Sequence, residues 1–136
     1  MKHLALALFA WFAIAAPAAA LERGDLVGVW ESQWANRPGE PASAGGDRLI
    51  ISLDTGADAL DGSSGAPGMD GVMNGEIEPG PNGTLIWSGQ WASVWRDTTE
   101  RGTFRFVFTD AHSFTGTWST NDGEVQGAAW NGARAH

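Results

Sequence analysis

Few residues in this chain could carry chemistry. Beyond residue 20 it holds two histidines, His112 and the C-terminal His136, with no cysteine and no lysine. Nucleophiles, general bases and transition-metal sites are built chiefly from those residue types. No two histidines stand at metal-ligand spacing, and no glycine-rich phosphate loop occurs. Paired carboxylates can hydrolyse glycosides without any sequence signature, but they must flank a cleft. The 16 acidic residues fall mainly in turns and at outward strand positions, and His112 falls in a hairpin tip. The residues therefore point to no catalytic group and no cofactor, and to a non-enzymatic role.

Two groups of side chains remain. Tryptophan is abundant, with seven of the eight beyond residue 20. Trp87, Trp91 and Trp95 recur on one face of a strand and could stack a sugar or a flat apolar ligand. Trp30, Trp34 and Trp118 could line a cavity. The alternative is that indoles simply fill a small barrel, as side chains often do. Seven are many for filling alone, so Trp91, Trp95, Trp34 and Trp118 are the candidate ligand contacts. The second group is acidic. Gly56-Ala57-Asp58-Ala59-Leu60-Asp61-Gly62 matches part of a calcium-binding nonapeptide, with Asp54 and Asp70 nearby. Each ion in that arrangement sits between tandem copies, and only one copy is present. The aspartates read as solvated turn residues, and no metal is expected.

Residues 1–20 read as a secretory signal peptide. Met1-Lys2-His3 is a short basic start, Leu4 to Ala16 is apolar, and Ala18-Ala19-Ala20 fits a cleavage site. An uncleaved anchor is the rival, although the apolar run is short for a membrane span. Export to the periplasm or the medium is expected, leaving one domain over 21–136. That part carries seven arginines against 16 acidic residues, a formal charge of −9. Such a balance disfavours nucleic acid and anionic membranes as partners. A small-molecule ligand is the partner left, and oligomeric state is open.

These residues must be positioned by strands, because all 19 glycines lie beyond residue 20 and no segment shows helical periodicity. The clearest unit is 102–119, GTFRFVFTDAHSFTGTWS, which alternates strictly on both arms. Folding it about Asp110-Ala111-His112 sets Phe108 opposite Phe114, Phe106 opposite Gly116 and Phe104 opposite Trp118. His112 is then expected in the left-handed conformation. Other strands are expected over 26–34, 48–53, 59–63, 71–78, 84–95 (the longest) and 124–134. Loops are expected over 36–46, 64–70 and 96–101; the first is a candidate lid. The expectation is all-β, about eight antiparallel strands in an up-and-down barrel, with a β-sandwich as the alternative.

Gly28-Val29-Trp30 on the first strand and Trp130-Asn131-Gly132-Ala133-Arg134 on the last resemble the calycin pattern of lipocalin-like and avidin-like barrels. That resemblance implies Gly28, Trp30 and Arg134 as the structural closure, the guanidinium covering the indole. Trp87-Ser88-Gly89-Gln90 is similar to the avidin-type strand whose Trp lines the biotin pocket. Here, however, Trp30 is followed by Glu31-Ser32-Gln33-Trp34 where avidins place Asn-x-x-Gly-Ser. The chain also has no tyrosine and no closing Gly-x-Asp-x-Phe. The resemblance thus implies the barrel and not biotin. The function expected is an exported module holding a small apolar or aromatic ligand; the alternative is a Trp-rich surface for a carbohydrate or another exported protein.

Overall fold

Eight antiparallel strands close on themselves in the computed structural model, which describes residues 21–43, 45–53, 59–66 and 69–135. They are β1 (Gly28–Trp34), β2 (Gly45–Leu53), β3 (Ala59–Ala66), β4 (Met69–Pro79), β5 (Leu85–Trp95), β6 (Thr98–Phe108), β7 (Ser113–Thr120) and β8 (Ala128–Arg134). Each strand pairs with the next, and β8 returns to β1 with Trp30 opposite Arg134 and Trp34 opposite Trp130. That last ladder makes an up-and-down barrel and removes the sandwich alternative.

The β6–β7 hairpin has the register its alternation predicts: Phe108 pairs with Phe114, Phe106 with Gly116 and Phe104 with Trp118. The inward series Gly102, Phe104, Phe106 and Phe108 is buried while Thr103 and Arg105 face water. A recurrent packing device follows from the pairings. Trp91 lies across from Gly102, Phe106 from Gly116 and Phe114 from Gly132. A Cβ on Gly102 would come 2.7 Å from the Trp91 ring, and one on Gly132 would strike the Phe114 ring. Glycine on the neighbouring strand is what lets each large ring lie flat across the barrel.

The hairpin tip differs from expectation. His112 is not among the residues with positive φ. Instead the Asp110 carboxylate accepts the backbone N–H groups of His112 at 2.7 Å and Ser113 at 3.0 Å, which closes the turn without a left-handed residue. These hydrogen bonds, that from His112 foremost, hold the Asp110 carboxyl below its ordinary pKa.

Several strand ends also differ. The 96–101 connection is only a two-residue turn, Arg96 at φ 50 and Asp97 at φ 66, with Trp95 paired to Thr98. Residues 98–101 are exposed, so no apolar alternation marks them as strand. The loops expected over 36–46 and 64–70 are shorter too, since β2 begins at Gly45 and β3 runs on to Ala66. β4, β5 and β6 each have 11 residues, so β5 is not uniquely long. The last strand begins at Ala128 rather than Glu124, and Leu26 is buried from a 3-10 turn (Arg23–Leu26) rather than from β1. The expected signal peptide, Asp54, Asp58 and His136 lie outside the described residues, as do the side chains of Leu53 and Asp61.

The core is largely a column of rings. Trp30 meets Phe108 and Phe114 edge-on, Phe106 stacks on Phe114 at 4.2 Å, and Trp130 meets Phe106 at 5.0 Å. Trp87 joins from the β5 side against Phe104 and Phe106, with Leu49, Ile51 and Met73 completing the packing. Offset and edge contacts of this kind add roughly 0.5–1.5 kcal/mol each beyond the burial of their area.

Candidate binding site at the open end

The two ends of the barrel are built differently, and the candidate indoles all belong to one of them. One end carries the chain's entry into β1, the β4–β5 and β6–β7 turns and the last residues of β8. There the Arg134 guanidinium lies 4.5 Å from the centroid of the fully buried Trp30 ring. Arg134 donates to the carbonyls of Ala111 at 2.8 Å and Val27 at 3.0 Å, and also to that of Asp25. Trp30 Nε1 donates to Leu26 O at 3.0 Å, holding the 3-10 turn beneath it. Gly28 has φ +145, and a Cβ there would strike Arg134 Nη1, so glycine opens the path of the guanidinium. A cation over an indole with its N–H groups satisfied by carbonyls is a plug.

The opposite end carries the β1–β2 and β7–β8 connections and the Arg96–Asp97 turn. All four candidate indoles belong to this half. Trp91, 9% exposed, splits its N–H between Thr103 O and Ser119 O, both at 3.1 Å. Trp118 is half-buried, meets Trp91 edge-on at 5.8 Å and donates to Ala35 O at 3.0 Å. Trp34 is half-buried but packs on Trp130 rather than on that pair. Trp95 is 44% exposed, with the Arg96 guanidinium 5.3 Å from its ring. The structure thus brings Trp91 and Trp118 into contact and leaves Trp34 and Trp95 as separate rings on the same side. Trp130, absent from the candidate set, is 8% exposed and donates to Ser32 Oγ at 2.9 Å.

Trp87, deeper in the barrel, has a buried Nε1 with no hydrogen-bond partner among the described residues. A Cβ on Gly62 would come 2.9 Å from its ring, and one on Gly75 would come 3.0 Å from its Nε1. The ring uses the space those glycines leave, at an unsatisfied-donor penalty of about 1–3 kcal/mol.

Beside Trp118 lies an open groove of about 470 Å³ between the start of β6, the end of β7 and the β7–β8 connection. Its walls include Asn36, Glu100, Arg101, Asn121 and Asp122, and Val125 is the only aliphatic side chain among the described residues that line it. The connection is well tied. Asn121 N donates to Arg101 O at 2.9 Å and Thr120 N to Val125 O at 2.8 Å. Asp122 Oδ1 accepts from Glu124 N at 2.9 Å and Thr120 Oγ at 2.7 Å. Those two bonds, the backbone one foremost, lower the Asp122 pKa from its ordinary value and keep it an acceptor.

Sequence reasoning missed these groove residues. They are polar and carry no periodic signal; the β6–β7 ladder, continued past its alternating part, sets Glu100 and Arg101 beside Asn121, and the closing of β1 onto β8 adds Asn36. Among the described residues no three histidine, cysteine or acidic side chains gather as a metal site. His112 is exposed in the hairpin tip. No protein-family model matches this chain, nor does any curated protein or solved structure.

Proposed function

We propose that the chain is an exported, non-enzymatic binding module of calycin-like form, plugged at one end by Arg134 over Trp30. At the other end it takes a small ligand that presents a flat, apolar or aromatic face to Trp118, Trp34, Trp95 and the rim of Trp91. The observation that carries this reading is the state of the indoles. The middle of the barrel is filled by rings, whereas Trp34, Trp118 and Trp95 keep exposed surface at one end. The N–H groups of Trp91 and Trp118 are spent on backbone carbonyls, so what those rings offer is their carbon surface. Such surface rewards stacking by a poorly hydrated face.

Intrinsic tryptophan fluorescence and calorimetry against small aromatic lipophiles and oligosaccharides test it. Binding should show a negative heat-capacity change. Trp95→Ala should weaken affinity about tenfold, the equivalent of one aromatic contact of about 1.4 kcal/mol, with little loss of stability because the ring is exposed. Trp30→Ala should act the other way, lowering stability first. Equal affinity in the parent, Trp95→Ala and Trp34→Ala proteins would remove the open end from the reading. Absence of any binding across the screen would end the module hypothesis.

A further inference from the structure

We propose that the groove beside Trp118 is a saccharide site, receiving an uncharged sugar ring whose C–H face lies on the indole and whose hydroxyls meet the groove walls. This rests on the open end being the binding end, and narrows the ligand class there. The chemistry of the walls decides it. Asn36, Asn121, Glu100, Asp122 and Arg101 end in planar groups, each with at least two hydrogen-bonding atoms set side by side. Neighbouring hydroxyls on a sugar ring present donors and acceptors at matching separation. A purely apolar ligand in this groove would strip water from those groups and return nothing, which is unfavourable for every one left unpaired. A hydroxylated ring replaces that water bond for bond.

The groove is also preorganised. Asp122 holds its turn through Oδ1, and as a carboxylate it has further lone pairs with which to accept from a ligand hydroxyl. The backbone of Asn121 is fixed by its bond to Arg101 O. Glu100 belongs to the inward series of β6 with Gly102 and Phe104, so it stands at the mouth past the last ring of that strand. Trp118 supplies an apolar platform with its N–H already used on Ala35 O. A turn and a platform already held in place lower the ordering cost of binding. Their charge selects further, because Glu100, Asp122 and Glu124 outnumber the single Arg101 and would repel an acidic sugar.

The exported protein, residues 21–136, titrated with α-linked and β-linked gluco-oligosaccharides, N-acetylglucosamine oligosaccharides and oligouronates tests the proposal, with a naphthalene-type lipophile in parallel. One neutral series should bind, the oligouronates at least tenfold more weakly. Glu100→Gln and Asn121→Ala alter exposed side chains and should each weaken that binding about tenfold, the loss expected for a hydrogen bond to the ligand. Thr115→Ala, on the outer wall near the plugged end, should change it less than twofold. If the lipophile binds and none of the neutral sugars does, the saccharide proposal falls and the ligand-binding reading stands. If sugars bind but are indifferent to both groove variants, the groove is the wrong place. If nothing binds, both readings fall together.

Discussion

A single hydrogen atom decides the packing at position 116. Phe106 lies directly across from Gly116, and a Cβ there would come 2.6 Å from Phe106 Cδ1 and collide with the Arg105 carbonyl. The backbone carbonyl cannot yield as a flexible side chain could. Gly116→Val should therefore destabilise by about 3 kcal/mol, the upper end for overpacking a filled core. Thr115, the next residue, is exposed on the outer wall. Thr115→Val should be within about 0.5 kcal/mol of the parent, as surface changes usually are. Urea unfolding monitored by tryptophan fluorescence compares the two, and similar midpoints would mean that the faces of β7 are misassigned. The same local reasoning separates the indoles. Trp30 and Trp87 are wholly enclosed, whereas Trp95 stands at a hairpin end where truncation uncovers no cavity.

At the scale of elements, the first and last strands hold the barrel shut, and the pair Trp30–Arg134 is the most direct probe of that seam. The two residues are opposite each other in the β1–β8 ladder, and the guanidinium also ties the 3-10 turn and the β6–β7 tip through carbonyls. Arg134→Ala should lose the cation–indole contact and release three carbonyls; Trp30→Ala should leave a cavity beside Phe108 and Phe114. Because each substitution removes a shared contact, the double variant should cost about 1–2 kcal/mol less than the sum of the singles. Strict additivity in denaturant midpoints would show that the seam does not depend on this pair. The β5–β6 hairpin shows the opposite use of an element. Its turn places Arg96 and Asp97 at positive φ, a conformation most side chains avoid, and so keeps Trp95 paired at the strand's last position.

For the whole molecule, the described barrel begins with residues that already serve it. Leu21 packs against the core and Leu26 is buried beneath Trp30. Removal of residues 1–20 should therefore leave every described contact in place. Intact mass of the exported fraction is expected to give a chain starting at Leu21, and a full-length species held in the membrane would overturn the signal-peptide reading. Much of the fold was legible beforehand because a strand with one buried side writes its face into the sequence at period two. Phe104, Phe106 and Phe108 against Phe114, Gly116 and Trp118 specified a register that the structure reproduces, and the expectation of about eight strands agrees with the eight observed. Alternation says which way a side chain points but not what lies beyond the next strand, so the barrel was the expectation with the sandwich as its alternative until the β1–β8 ladder removed the latter. It is silent as well where both faces meet water, which is why β6 begins four residues before its pattern does, at Thr98. The candidate site divides in the same way. The sequence determined that rings would crowd one face of the strands. Which of them fill the column and which keep open surface was decided only by the tertiary structure. The β6–β7 ladder, continued beyond its alternating part, sets Glu100 and Arg101 beside Asn121, and the closing of β1 onto β8 adds Asn36 to the same rim, because pairing between strands brings together polar residues that no pattern along the chain connects.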